Sequence, residues 1–326
     1  MTHFLLRRLA GFIATLWVAS VLVFAALELL PGTAAQVRLG ETASPEAVAA
    51  LEARLGLDRP APLRYAEWIT GLARGRTALS SSYDTPTAEL IAERLQVSLP
   101  LAVLAMALTT AMALALGLYA AAHHRRLGDV GVMAASQVGM AVPSFWFAIL
   151  LILLFSVRLE WFNAGGFPGW TDADSGAVTA ASLWEGLLAL VLPAASLAVV
   201  QAAILARVTR SAVLEVMRED FVRTARAKGV GRGAVLWRHV LRNAMIPVLT
   251  VMGLQFANLV AGTVVIENVF VLPGLGRLVF QAIGNRDLVV VRDVVMLLAA
   301  SVVVINAGVD LLYAVLDPRL RTVGEP

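Results

Sequence analysis

Long hydrophobic runs separated by charged segments dominate the chain. Six of the runs are long enough to cross about 30 Å of hydrocarbon as helices. They are Leu9–Leu30, Val97–Ala122, Val130–Val157, Leu183–Ala206, Ala244–Ile266 and Val294–Leu316. The uncharged core of the first run exceeds the about 7–15 apolar residues of a secretory signal, so we interpret it as a retained span. The pattern predicts an all-α polytopic membrane protein with six transmembrane helices.

The runs divide the chain into three predicted regions. They are the N-terminus with the first span (1–30), an external helical segment (31–96) and a five-helix core (97–326). The external segment is too long for a simple loop, so we expect it to contain structure of its own. Ser44-Pro45 begins a helix that Gly56 ends, and Thr85-Pro86 begins another that continues into the second span.

Arginine residues mark every second connection between the spans. They lie before the first run (Arg7, Arg8), after the second (Arg125, Arg126), after the fourth in a basic segment (208–243), and after the sixth (Arg319, Arg321). Because Lys and Arg favour cytoplasmic loops, these segments and both termini are predicted to be cytoplasmic. The sequence pI of 9.8 therefore reflects membrane orientation, and no soluble basic domain is present for nucleic acid.

The basic segment, residues 208–243, is the most informative part of the chain. It contains the only Lys, Lys228, and Arg residues at 210, 218, 223, 226, 232, 238 and 242, with Arg207 at its edge. Apolar residues recur at helical spacing at Leu214, Met217, Phe221 and Ala225. Gly229 stands where a C-cap ends a helix, and a second short helix begins near Arg232. A structured basic loop predicts a docking surface for a soluble partner, whereas a purely topological anchor needs only a few charges.

The third, fourth and fifth spans carry prolines and polar side chains. Pro143, Pro193 and Pro247 each remove a helical hydrogen bond and predict a kink. Polar groups at membrane depth face a bundle interior or a pathway, which predicts a central conduit. The candidate pathway or gate residues are Gln137, Pro143, Ser144, Gln201, Gln255 and Asn258. For each of them alone, an ordinary interhelical hydrogen bond is the alternative.

The sequence lacks the residues of several other functional classes. It has no Cys, and its four His do not stand at metal-ligand spacing, so we predict no metal site. A P-loop needs Gly-Lys followed by Ser or Thr, but Lys228 is followed by Gly229. Glu28, Glu185 and Asp310 lie near span ends, which disfavours an ion-driven secondary transporter as the alternative class. We predict no catalytic residue, and a separate ATPase must then supply the energy.

The chain resembles a known family over its whole length. In the basic segment the resemblance is carried by DFVRTARAKG, from Asp220 to Gly229, and by Arg238-His239 and Arg242-Asn243. Elsewhere it is carried by LLPG (29–32), ELIAERL (89–95), PSFW (143–146), LPGLGR (272–277), NRD (285–287) and LDPR (316–319). Together these segments resemble permeases of binding-protein-dependent ABC importers. The long external segment resembles that of the B-type subunit in the dipeptide, oligopeptide and nickel branch.

The resemblance implies a type I ABC importer permease fold in the bacterial inner membrane, with both termini in the cytoplasm and a cytoplasmic coupling helix. It implies a C-type permease as partner in a heterodimer, two ABC ATPases that bind ATP and Mg²⁺, and an extracytoplasmic solute-binding protein. This chain itself is expected to bind no cofactor. Peptides are the expected cargo, and nickel, glutathione or oligosaccharides are the alternatives within the family.

The resemblance also implies which residues couple the permease to its ATPases. They are Glu219, Asp220, Arg223, Thr224, Ala225, Arg226, Lys228 and Gly229. The general importer signature begins with Glu-Ala-Ala, but Arg223-Thr224-Ala225 stand at those positions here. The peptide branch commonly shows this pattern, so the departure narrows the subfamily. No role of the signature glutamate is transferred to this chain.

The alternating arginines make the topology testable. Reporter fusions at Arg125 and Ser211 should report a cytoplasmic location, and fusions at Ala61 and Asp174 an external one, because the basic loops stay inside. Paired alkaline phosphatase and green fluorescent protein fusions measure this directly. A cytoplasmic signal at Ala61 would contradict both the topology and the family resemblance.

Overall fold

The computed structural model describes residues 2–29, 34–40 and 43–316. Within these ranges the secondary structure is helical, apart from one isolated bridge between Leu79 and Pro86. The α-helices are α1 (Thr2–Glu28), α2 (Ala34–Leu39), α3 (Pro45–Leu55), α4 (Ala61–Ala73), α5 (Thr87–Ala122), α6 (Leu127–Ala141), α7 (Ser144–Leu151), α8 (Ala180–Val216), α9 (Asp220–Ala227), α10 (Arg232–Ala234), α11 (Leu241–Val269), α12 (Leu275–Gly284) and α13 (Leu288–Leu316). Two π-helical segments, Ile152–Arg158 and Val235–Val240, follow α7 and α10. The predicted all-α class is confirmed.

Some sequence predictions fall on residues that are not described. Arg319, Arg321 and the family matches at 30–32 and 317–319 lie outside the described residues. The same holds for the side chains of Arg7, Arg8 and Asp310. The predicted cytoplasmic position of both termini therefore remains a prediction, as does the division into regions 1–30, 31–96 and 97–326.

Helix lengths agree with the predicted membrane spans. In the described part of the chain, five helical stretches are long and apolar enough to cross a membrane: Leu9–Glu28, Thr87–Ala122, Ala180–Val216, Val235–Val260 and Leu288–Val309. The remaining predicted span, 130–157, is divided between α6 and the segment Ser144–Arg158. The helix axis bends by 103° between the two. There are six spans if this bent pair counts as one.

Pro143 causes the division of the third predicted span. Proline has no N–H to donate, and it disfavours helical backbone at the residue before it. Val142 accordingly adopts an extended conformation with φ −89° and ψ 126°, and α7 begins only at Ser144. The sequence predicted a kink at this proline, but the structure has a complete break.

One compact unit consists of the described residues up to Ser98 together with residues 273–304. Its apolar core forms where α12 packs with the beginning of α5 and the beginning of α13. Leu278, Ala282, Val290 and Val294 are buried in this core. The Leu275 N–H donates a hydrogen bond of 2.8 Å to the Ser98 hydroxyl oxygen, which fixes the start of α12.

Two buried carboxylates hold the predicted external segment in this unit. Asp287 accepts hydrogen bonds from the Ser80 hydroxyl at 2.5 Å and from the Ser82 N–H at 2.9 Å. Asp293 accepts hydrogen bonds from Trp68 Nε1, at 2.8 Å, and from the Thr87 hydroxyl. A buried carboxylate without such donors is strongly unfavourable, so these bonds specify how the segment folds back.

The helix signals of the external segment are confirmed. Ser44 caps α3, because its side chain accepts a hydrogen bond of 3.2 Å from the Ala47 N–H. Gly56 ends α3 in the left-handed region with φ 68°. α5 begins at Thr87, directly after Pro86, and continues through the second hydrophobic run.

A second compact unit consists of residues 99–272 and the described residues after 304. α8 is its central helix, and α6, α7 and α11 all pack against it. One apolar cluster joins α5, α8, α9, α11 and the π-helical segment Val235–Val240; its buried members include Ala113, Leu205, Val213, Val222 and Val240.

Gly117 allows α5 and α8 to approach closely in the second unit. A Cβ at this position would lie 2.6 Å from Thr209 Cβ and 2.9 Å from the Ala206 carbonyl oxygen. The second of these atoms belongs to the backbone of α8 and cannot move without the helix. Small residues at such contacts are typical of helices that pack in membranes.

We therefore expect Gly117→Ala to lower stability by about 1–3 kcal/mol, because the added methyl group overpacks the contact. Gly131→Ala is the matched control, since a Cβ on this helical glycine would meet nothing within 4 Å. Alanine should be neutral or favourable there, because it is the better helix former. The measurement is the midpoint of thermal unfolding in detergent. Equal midpoints for Gly117→Ala and the wild type would contradict the close approach.

Candidate docking surface and pathway residues

The basic segment begins within α8 and turns sharply after it. α8 ends at Val216, residues 217–219 form a turn, and α9 begins at Asp220. The sequence prediction of one continuous apolar stripe from Leu214 to Ala225 is wrong, because this turn changes which residues face inward. Phe221 is 43% exposed, whereas Val222 is fully buried.

α9 ends in a Schellman motif at Gly229, as the sequence predicted for its C-terminus. The Gly229 N–H donates to the Arg226 carbonyl at 3.0 Å, and the Val230 N–H donates to the Ala225 carbonyl at 3.2 Å. Gly229 has φ 78°, in the left-handed region that favours glycine. A Cβ here would meet nothing within 4 Å, so backbone conformation, and not lack of space, requires glycine.

α9 has one buried face and one exposed face. Val222 and Ala225 lie in the apolar cluster of the second unit. Most of the predicted coupling residues are exposed, namely Glu219, Asp220, Arg223, Thr224, Arg226, Lys228 and Gly229. Ala225 is the exception, since it belongs to the face that holds α9 in place. We call the exposed residues Asp220, Arg223, Thr224, Arg226 and Lys228 the outer face of α9.

The outer face of α9 contains one weak ion pair. Arg223 Nη1 lies 3.3 Å from Asp220 Oδ1, and both side chains are largely exposed. An exposed pair at this spacing on a helix contributes about 0.2–0.5 kcal/mol. Arg223 therefore loses little free energy when it turns toward a partner.

The chain returns from α9 to the membrane part through short helical elements. α10 begins at Arg232, as predicted, and the π-helical segment Val235–Val240 leads directly into α11. Val235 and Val240 are buried in the same apolar cluster as Val222. The elements on both sides of α9 thus pack in the same apolar cluster as α9 itself.

Arg210 does not belong to the exposed basic surface. Its guanidinium group binds both carboxylate oxygens of Asp129, at the start of α6. Sequence reasoning missed this pair, because a single acid beside a loop gives no local signal of its distant partner. Among the residues that the structure describes, no group of three or more His, Asp or Glu is placed to hold a metal ion.

The structure brings two of the candidate pathway residues together. Gln255 of α11 is buried, and its Nε2 donates a hydrogen bond of 3.1 Å to the Gln201 carbonyl of α8. Gln255 thus makes an interhelical hydrogen bond, and its role in a pathway stays a prediction. Gln137 and Asn258 are exposed on the second unit, and Ser144 is half-buried beside the exposed Pro143 at the break after α6.

Sequence comparison defines the class of protein to which this chain belongs. The chain is a member of the family described as binding-protein-dependent transport system inner membrane component, whose profile matches residues 113–322. The N-terminal profile of the same membrane components matches residues 1–102. The predicted resemblance to importer permeases is confirmed.

Individual relatives align with almost the whole chain. A putative peptide transport system permease protein of Brucella abortus is 43% identical over 98% of this chain and 99% of its own length. A dipeptide transport system permease protein of Alkalihalophilus pseudofirmus is 37% identical over 98% of this chain and all of its own. A glutathione transport system permease protein of Salmonella choleraesuis is 37% identical over 98% of this chain and 99% of its own.

Proposed function

We propose that this chain is the membrane-spanning subunit of an ATP-driven importer of di- or oligopeptides, and that ATPase subunits dock on the outer face of α9. One observation carries the proposal: the outer face of α9 carries three basic side chains beside one acid and one hydroxyl, while Val222 and Ala225 anchor α9 in a core that includes α8 and α11. A partner that moves α9 therefore moves the ends of the spanning helices. A loop that served only to fix topology would need its charges but no buried face.

Hydrolysis is assigned to separate chains. Lys228 and Gly229 do not form a P-loop, so ATP and Mg²⁺ belong to two ABC ATPase subunits below the membrane. A solute-binding protein delivers the substrate on the outer side of the bacterial inner membrane. The family description, which names both binding-protein dependence and the inner membrane, supports this arrangement.

A second permease completes the channel. Gln137 and Asn258 are exposed although both lie in predicted spans. An amide exposed to lipid is unfavourable, because hydrocarbon offers it no hydrogen-bond partner. We infer that these side chains, with Ser144 and Pro143, face a C-type permease and the pathway between the two subunits.

The names of the relatives support peptides as the cargo. One of the relatives above is named for peptides and one for dipeptides. The third is named for glutathione, which is itself a tripeptide. The candidate pathway side chains are uncharged amides and a hydroxyl, so we assign the choice of substrate to the binding protein. Nickel, oligosaccharides and an ion-driven mechanism receive no comparable support.

Reconstitution tests the proposed function. Proteoliposomes that contain both permeases and the ATPases should accumulate labelled dipeptide when ATP is inside and the binding protein outside. This chain alone should neither hydrolyse ATP nor accumulate peptide, because it has no P-loop. Omission of the binding protein is the control and should abolish uptake. Accumulation by this chain alone, driven by a proton gradient, would instead identify a secondary transporter.

Gly229→Leu tests the role of the helix end. A side chain at φ 78° costs roughly 1–2 kcal/mol, and the added bulk holds the ATPase away from the outer face of α9. We expect membrane insertion and binding-protein docking to persist while peptide uptake is lost. Hydrolysis should persist uncoupled or fall with loss of assembly, and pull-down of the ATPases distinguishes these cases.

The matched control for this variant is Gly231→Leu. It adds the same bulk two residues away, where φ is not positive and a Cβ meets nothing within 4 Å. We expect near-normal uptake from the control. Wild-type uptake by Gly229→Leu at normal expression would contradict the proposed docking of the ATPase at α9.

A further inference from the structure

A partly buried ion pair joins α6 to α8. Asp129, in the first turn of α6, is only 3% exposed. Arg210 of α8 donates from Nε to Asp129 Oδ1 at 2.5 Å and from Nη2 to Asp129 Oδ2 at 2.7 Å. Two parallel hydrogen bonds between a guanidinium and a carboxylate fix direction as well as distance. The pair therefore holds the start of α6 at one defined place on α8.

The loop between α5 and α6 is attached to the same carboxylate. The Arg125 N–H donates to Asp129 Oδ2 at 3.0 Å, and His124 Nδ1 lies 3.2 Å from that oxygen. Arg125 has φ 63°, which is uncommon for a residue with a side chain, and its hydrogen bond to Asp129 stabilises this conformation. The loop, the start of α6 and the end of α8 thus meet at one acidic side chain.

The position of Arg210 connects this ion pair with α9. Arg210 precedes Val216, the last residue of α8, by six positions, which is about 9 Å along a helix. Between them, Val213 is fully buried in the apolar cluster that also holds Val222 of α9. The end of α8 is therefore joined to α9 by apolar contacts and to α6 by the ion pair.

α6 leads from the ion pair to the break at Pro143. The helix runs without interruption from Leu127 to Ala141. Gln137 lies about one turn before its end, and Ser144 follows directly after the break. A displacement at the start of α6 is thus carried along one helix to Gln137 and to the break that precedes Ser144.

We propose that Asp129 and Arg210 are positioning residues that transmit movement of α9 to α6 and to the pathway residues at the Pro143 break. The inference rests on the proposed function, because it names the route from the ATPase docking face to the pathway. The pair suits transmission, since separation would leave the buried Asp129 carboxylate without its counter-charge, which is strongly unfavourable. Through this pair, a movement of α8 also moves the start of α6.

The test uses the complete importer in proteoliposomes. Asp129→Asn removes one charge, and the double variant Asp129→Asn/Arg210→Gln removes both, so that no buried charge is left without a partner. Glu67→Gln is the matched control, because it removes an ion pair with Arg59 whose side chains are 57% and 59% exposed. The measured quantity is the amount of ATP hydrolysed for each peptide accumulated, normalised to assembled complex.

We expect the double variant to assemble with the ATPases and keep its basal hydrolysis, while the ATP used per peptide rises about tenfold. Asp129→Asn should raise this ratio as well, and Glu67→Gln should leave it at the wild-type value. A purely structural pair would lower hydrolysis and uptake together, in proportion to the assembled complex. Such a proportional loss would overturn the inference. A wild-type ratio in the double variant, or loss of assembly in both variants, would overturn it as well.

The same experiment separates this inference from the proposed function. If the wild-type complex neither hydrolyses ATP nor accumulates peptide, the proposed function itself is wrong. If the wild type transports and the double variant transports with the same ratio, only the transmission through Asp129 and Arg210 is refuted.

Discussion

The burial of Val222 and Ala225 in the apolar cluster of α5, α8 and α11 is the interaction on which the functional account depends. Full burial of a valine side chain contributes about 1.5–3 kcal/mol relative to exposure. This contribution holds a helix of only eight residues, α9, against the ends of much longer helices. Without it, α9 would be joined to the longer helices only through the short connections at its two ends.

The proposed functional parts of the second unit lie where helices are interrupted. The turn after Val216 lets α9 leave the axis of α8, Gly229 ends α9, and Pro143 separates α6 from α7. Two of these interruptions follow from backbone chemistry: Gly229 adopts left-handed backbone, and Pro143 has no N–H to donate. On the proposed function, the continuous helices between these interruptions transmit displacement from α9 to the pathway residues.

The local features of the sequence predicted the fold well, and the contacts between distant residues stayed hidden. Hydrophobic runs predicted the spans, and Gly229 predicted the end of α9, because helix length and capping depend on neighbouring residues. The turn after Val216 was missed, because the apolar residues from Leu214 to Ala225 have the spacing of an uninterrupted helix. Asp129 was missed because its partner lies 81 positions away along the chain. The break at Pro143 was predicted as a kink, since proline in a membrane helix is compatible with either.

Cysteine cross-linking tests the central claim, that an ATPase contacts the outer face of α9, most directly. The natural chain has no cysteine, so Ala227→Cys, which is exposed at the end of α9 and leaves every charge in place, provides a single thiol. Glu67→Cys in the predicted external segment is the comparison. In membranes that contain the assembled importer, a short thiol-to-amine cross-linker should join Ala227→Cys to the ATPase and leave Glu67→Cys unlinked. No cross-link from Ala227→Cys, or an equal yield from Glu67→Cys, would contradict the account.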